Sequence, residues 1–148
     1  MFIKTNDRII NLKNVSNINV LKNKNRIVFN LNYSIEIKID DTEKYISDYV
    51  YWDCVDSSDL NFKLDYLSKN QYLQRNFIHN NNNGYININE IGSIKLSEKK
   101  NRIIFNLCHP VTFLDNDDVG MTSEFVYVNC KNQHEYKQYL NYINGLWE

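Results

Sequence analysis

Cys108 and His109 are adjacent, and His134 follows Cys130 by four positions. A thiol nucleophile needs an imidazole within hydrogen-bond reach. Neighbours on a strand point to opposite faces, so Cys108 and His109 do not make such a pair. Cys130 and His134 straddle an expected strand-to-helix junction, which gives their side chains no defined mutual direction. Cys54, the counterpart of Cys130 in the repeat described below, has no matching histidine. Cys54 and Cys130 are therefore expected to be buried small hydrophobes. Zinc asks for about four convergent Cys or His ligands, usually with CxxC-type spacing, and that spacing is missing. The segment "DNDDVG" imitates the opening of a calcium loop through Asp115, Asp117 and Gly120, but Val119 and Val126 occupy positions that need oxygen ligands. The chain has four Gly and no GxGxxG, P-loop or GxSxG pattern, so loops that cradle phosphate are scarcely available. The acid pairs Asp40–Asp41 and Asp117–Asp118 fall in polar loops and read as solvated. The expectation is a chain without catalytic residues, metal or cofactor, and not an enzyme.

The elements that carry these residues occur twice. "NRIVFNL" at 25–31 returns as "NRIIFNL" at 101–107, a shift of 76. At that shift Ile10, Asn11 and Leu12 fall on Ile86, Asn87 and Ile88, Val15 and Ile18 on Ile91 and Ile94, and Val50, Tyr51 and Cys54 on Val126, Tyr127 and Cys130. Leu64, Tyr66 and Leu67 fall on Leu140, Tyr142 and Ile143, and no gap is needed from Ile10 to about Gln71. Solenoid repeats are shorter, about 20–50 residues, and need three or more copies. Two long copies point instead to a pseudo-two-fold pair.

Each copy reads as four strands and a helix. Two short strands precede the repeated phrase, in which Ile27, Phe29, Leu31 and Tyr33 alternate with polar residues at strand period. An acidic loop leads to the fourth strand, "DYVYWDC" or "EFVYVNC". Asp56 and Asn132 are natural helix N-caps, with Asp59 and Glu135 three residues on. Leu60, Leu64 and Leu67, matched by Tyr136, Leu140 and Ile143, make an apolar stripe at helical spacing. "HNNNNG" joins the copies, and its Asn-Gly pair suits a turn. The expected fold is α+β: a tandem pseudo-two-fold duplication of a ββββα unit, with antiparallel sheets each covered by a C-terminal helix. The first repeat spans 1–76 and the second 77–148, the two forming one compact domain.

Composition narrows the class. Three Cys argue against a disulfide framework and suit a reducing cytoplasm. The N-terminus lacks a secretory pattern, and no apolar run approaches the ~18 residues of a membrane span. Net charge is −1, with 11 basic and 10 acidic residues up to Asn76 and 6 and 8 beyond it. A nucleic-acid binder ordinarily carries a basic excess. The abundance of Asn, Lys, Ile and Tyr fits an AT-rich genome.

The fourth strand holds the binding expectation. Alternation puts Val50, Trp52 and Cys54 toward the helix and Tyr49, Tyr51 and Asp53 away from it, with Val126, Val128 and Cys130 against Phe125, Tyr127 and Asn129 in the second copy. The aromatics either fill an interface between the repeats or form an exposed contact surface. Arg26 and Arg102 are charged at matched positions. They end a solvated strand or pair with a loop acid, or they form a symmetric pair of anion contacts. The favoured function is a binding protein that presents Tyr49, Tyr51, Phe125 and Tyr127 to a protein partner or to itself. The alternative is stacking of single-stranded nucleic acid, with Arg26, Arg102, Lys22, Lys24, Lys99 and Lys100 meeting phosphates. Two ββββα units in tandem resemble, in inferred topology, the Whirly and PUR-type single-strand binding proteins, and that resemblance implies the alternative function.

Overall fold

The structure, a computed structural model, describes residues 1–38, 41, 42, 44–80, 84–114 and 120–146, and the side chains of all these except 35–38, 44–46, 111–114 and 120–123. Among the described residues there are ten strands in three antiparallel sheets and three α-helices. The acid pairs and the calcium-like segment of the sequence reading fall wholly or partly outside them.

The chain opens with a short hairpin, β1 (Phe2–Lys4) and β2 (Ile9–Asn11), which forms a two-stranded sheet. A 3₁₀ turn leads into β3 (Val15–Leu21), and a second one leads into β4 (Arg26–Lys38). Asn25 takes the left-handed conformation at φ 48°, as its counterpart Asn101 does. Asn is one of the few side chains that accept that region readily. β5 (Lys44–Asp53) pairs with β4, and α1 (Ser57–Ser68) follows. Then come α2 (Gln71–Asn76) and a second hairpin, β6 (Phe77–His79) and β7 (Tyr85–Asn87). β8 (Ile91–Ser97), β9 (Arg102–Leu114), β10 (Gly120–Asn129) and α3 (Gln133–Gly145) complete it. The bounds of β2 to β5 and the start of α1 recur 76 residues later in β7 to β10 and the start of α3.

Strand pairing departs from the expected one sheet per repeat. β5, β4, β3, β7 and β6 form a five-stranded sheet in that order, and β10, β9 and β8 form a three-stranded one. β7 thus adds to β3, with Asn17 opposite Ile86 and Ile18 opposite Tyr85, whereas β2 pairs with β1. Periodicity shows which face of a strand is apolar; it carries no information on which edge receives the strand.

Two apolar cores result. Ile18, Ile27, Phe29, Val50 and Trp52 pack with Leu60 and Leu67 of α1 in the first. Ile103, Phe105, Val126 and Val128 pack with Tyr136 and Ile143 of α3 in the second. The β6–β7 hairpin serves both, sending Phe77 and Tyr85 into the first core and Ile78 and Ile86 into the second. Both long helices are capped as expected: Asp56 accepts from the Asp59 N–H and Asn132 from the Glu135 N–H. Asp59 and Glu135 in turn accept from the N–H groups of Val55 and Lys131, so both copies close a reciprocal cap.

Candidate binding face

β5 and β10 lie at sheet edges, paired only with β4 and β9 among the described strands. Their inward residues are as the alternation requires: Val50, Trp52, Val126, Val128 and Cys130 are buried. Cys54 departs from the expectation, being half-buried where the strand gives way to the helix. Burial raises the pKa of both the Cys54 and the Cys130 thiol, which disfavours the thiolate. Cys108 and His109 are both exposed on β9, and the imidazole is engaged by Glu90 at 3.0 Å.

The outward residues form the same arrangement in each copy. The Tyr49 and Tyr51 rings are 5.3 Å apart, and the Arg26 guanidinium lies 4.1 Å from the Tyr51 ring centre. In the second copy Phe125 and Tyr127 are 4.9 Å apart, with the Arg102 guanidinium 4.6 Å from the Tyr127 ring centre. The strand register explains this, since Arg26 is opposite Asp53 and Arg102 opposite Asn129, two residues beyond each tyrosine. Arg26 Nε donates to Asp53 Oδ1 at 2.5 Å and Arg102 Nε to Asn129 Oδ1 at 2.6 Å. Arg26 therefore pairs with an acid on the neighbouring strand, where the sequence reading had a loop acid, and the matched arginine meets a neutral amide.

Phe125 and Tyr127 are 40% and 43% exposed, while Tyr49 and Tyr51 are half-buried. None of the four aromatics is fully buried. Lys22 and Lys24 sit on the 3₁₀ turn that enters β4, and Lys99 and Lys100 on the turn that enters β9. Lys22, Lys99 and Lys100 are exposed and Lys24 is half-buried.

Beside β5 runs a groove of about 320 Å³, lined by Tyr49 to Asp53 on one side and by Asn6, Asp7 and Arg8 of the β1–β2 turn on the other. Tyr49 exchanges main-chain hydrogen bonds with the Ser47 hydroxyl on this strand. Arg8 and Trp52 each carry a buried N–H donor, Nε and Nε1, with no acceptor among the described residues. A hydrogen bond from Arg8 holds the Asp7 carboxyl below the usual range. Lys63 is buried on α1 beneath this strand end, donating to the Asp53 carbonyl and to Asp59, with its ammonium 5.2 Å from the Trp52 ring centre. The sequence reading missed Asn6–Arg8 and Lys63. The available signal was the polar "TNDR" turn between the pairs Phe2–Ile3 and Ile9–Ile10 and a lysine four residues after the capping Asp59.

No protein-family model matches the chain, and no curated protein or solved structure matches it.

Proposed function

We propose that the chain is a non-enzymatic binding protein whose partner is an extended protein segment laid along the edge of β5. The groove between Tyr49–Asp53 and Asn6–Arg8 carries this reading. Along this edge Tyr49 exchanges main-chain hydrogen bonds with the Ser47 hydroxyl and the Asp53 carbonyl accepts from Lys63, so the side chains of the groove supply most of the recognition. Tyr49 and Tyr51 supply aromatic contact area, and Asp7, Arg8 and Asp53 bring charge of both signs to the groove, Asp53 being paired with Arg26. β10 with the start of β9 carries the related set of Phe125, Tyr127, Asn129 and Arg102, which fits a tandem pseudo-two-fold duplication of a ββββα unit. In that reading 1–76 and 77–148 are the two repeats of one compact domain, and the setting is the cytoplasm.

Single-stranded nucleic acid is the second reading. It rests on Arg102, which stacks on Tyr127 with no carboxylate pairing it among the described residues, and on Lys99 and Lys100 in the adjoining turn. Salt separates the two. Panning a display library of extended peptides on the purified protein should yield binders with weak salt dependence. Tyr51→Ala should weaken them by ~2 kcal/mol or more if Tyr51 is an anchor. Single-stranded DNA or RNA binding that is tight at low salt, falls steeply as salt is added, and vanishes when Lys22, Lys24, Lys99 and Lys100 become Glu would overturn the peptide reading.

A further inference from the structure

The two hairpins of the chain correspond residue for residue, although only one of them has a strand to join. In β1–β2 Phe2 is opposite Asn11, Ile3 opposite Ile10 and Lys4 opposite Ile9. In β6–β7 Phe77 is opposite Asn87, Ile78 opposite Ile86 and His79 opposite Tyr85. "FIK…IIN" and "FIH…YIN" are thus one hairpin written twice, with one extra residue in the second turn. One face of each enters the core of its own repeat, through Ile3 and Ile10 in the first and Ile78 and Ile86 in the second.

The opposite faces differ. In β6–β7 that face belongs to the preceding repeat: Phe77 is 2% and Tyr85 7% exposed, and β7 pairs with β3. In β1–β2 it is bare, with Phe2 56% and Ile9 69% exposed. The receiving strand shows the complementary difference. Ser16, Asn17 and Ile18 of β3 are buried, whereas at the matched positions of β8 Gly92 and Ser93 are exposed and Ile94 is half-buried. β8 pairs with β9 alone among the described strands. Asn87, buried against β3, donates from Nδ2 to the Val15 carbonyl at 2.8 Å, and Asn11 is the same residue at the matched place.

We propose that copies of this chain associate head to tail, the β1–β2 hairpin of one molecule adding to the open edge of β8 in the next. The junction repeats the one inside the chain, so its register is defined: Ile10 opposite Ser93 and Ile9 opposite Ile94. It buries Phe2 and Ile9, covers Ile94, and brings the Asn11 amide to the Ile91 carbonyl. A donor at one end and an acceptor at the other make a heterologous contact, which grows into a ring or an open filament. One residue restrains it. Gly84 passes over β3 so closely that a Cβ there would lie 2.5 Å from the Ile18 carbonyl oxygen, and Arg8 occupies the matched place in β1–β2. Arg8 is thus a steric brake that makes the contact weak. Phe2, Ile9 and Ile94 do not line the β5 groove whereas Arg8 does, so the Phe2, Ile9 and Ile94 variants are the ones that separate self-association from peptide capture.

Sedimentation velocity over a concentration series tests this with the full chain. The wild type should show mass that rises with concentration beyond a dimer. Arg8→Gly should lower the midpoint concentration by about tenfold or more, the order expected when an overpacked contact is relieved. Phe2→Asp with Ile9→Asp should leave a folded monomer, both side chains being exposed. In a Cys108→Ser background, Ile9→Cys chains mixed with Ile94→Cys chains should form a mixed disulfide in preference to either homodimer. Wild type and Arg8→Gly that both stay monomeric up to their solubility limit would overturn the proposal, as would association that closes at a symmetric dimer or persists in the double Asp variant.

Discussion

At the scale of single residues, small displacements decide what a side chain does. Arg26 and Arg102 stack on tyrosines in the same way, yet one meets a carboxylate and the other an amide, because Asp53 and Asn129 differ at one matched position. Asp59 has a similarly specific role. Its carboxylate accepts from the Val55 N–H and from Lys63, and those bonds, the backbone one first, hold its pKa below the usual Asp value. A carboxyl depressed by folding adds stability above its unfolded pKa, near 4, and that contribution fades as pH falls through the lower folded value. Urea midpoints measured from pH 6 down to pH 2 should therefore drop faster below about pH 4 in the wild type than in Asp59→Asn. Parallel profiles for the two proteins would show that Asp59 contributes nothing to the acid limb.

At the scale of elements, local rules are obeyed where the partners are local. Both long helices begin at an Asp or Asn whose oxygen accepts from the third helical N–H, and both carry an acid that reaches back to the preceding residue. Removing such a cap typically costs about 1 kcal/mol. Asp56→Ala and Asn132→Ala should each lower unfolding free energy by that order in a urea titration, and the corresponding Ser variants should keep most of it. Equal losses for Ala and Ser at either site would mean that the N-terminus is held by packing alone. The short elements followed different rules. β1, β6 and α2 span only three to six residues, too few to show a period, and the sequence reading passed over all three.

At the scale of the whole molecule, the β6–β7 hairpin ties the two halves of the chain together. Phe77 and Tyr85 lie beyond residue 76 but fill the first core, and β7 covers the edge of β3. Glu90 adds a polar tie: buried between the halves, it accepts from Asn32 of β4 and meets His109 of β9. A fragment ending at residue 76 should therefore lose core packing and bare the Ser16–Ile18 edge. Deleting large buried side chains from a core costs several kcal/mol, about 3–5 for Phe. Fragment 1–76 is expected to melt without cooperativity, and fragment 1–88, which keeps the hairpin, to withstand more urea. A cooperative monomeric melt of 1–76 at the midpoint of 1–88 would show that the first repeat needs nothing from the second.

The sequence by itself determined the alternation that faces Val50 and Trp52 inward and Tyr49 and Tyr51 outward, the apolar stripes of α1 and α3, their caps, and the match between copies at a shift of 76. All of these depend on contacts within a strand, a turn or a helix face, and such contacts leave a period. The tertiary structure alone decided that β7 joins β3 while β2 turns back on β1, that Arg8 and Asp7 face β5 across a groove, and that Phe2 and Ile9 stay exposed where Phe77 and Tyr85 are buried. The physical reason is that a strand's two edges offer the same main-chain groups, so which edge is filled depends on which segment the rest of the fold brings beside it and on whether its side chains leave room, as Gly84 does over β3.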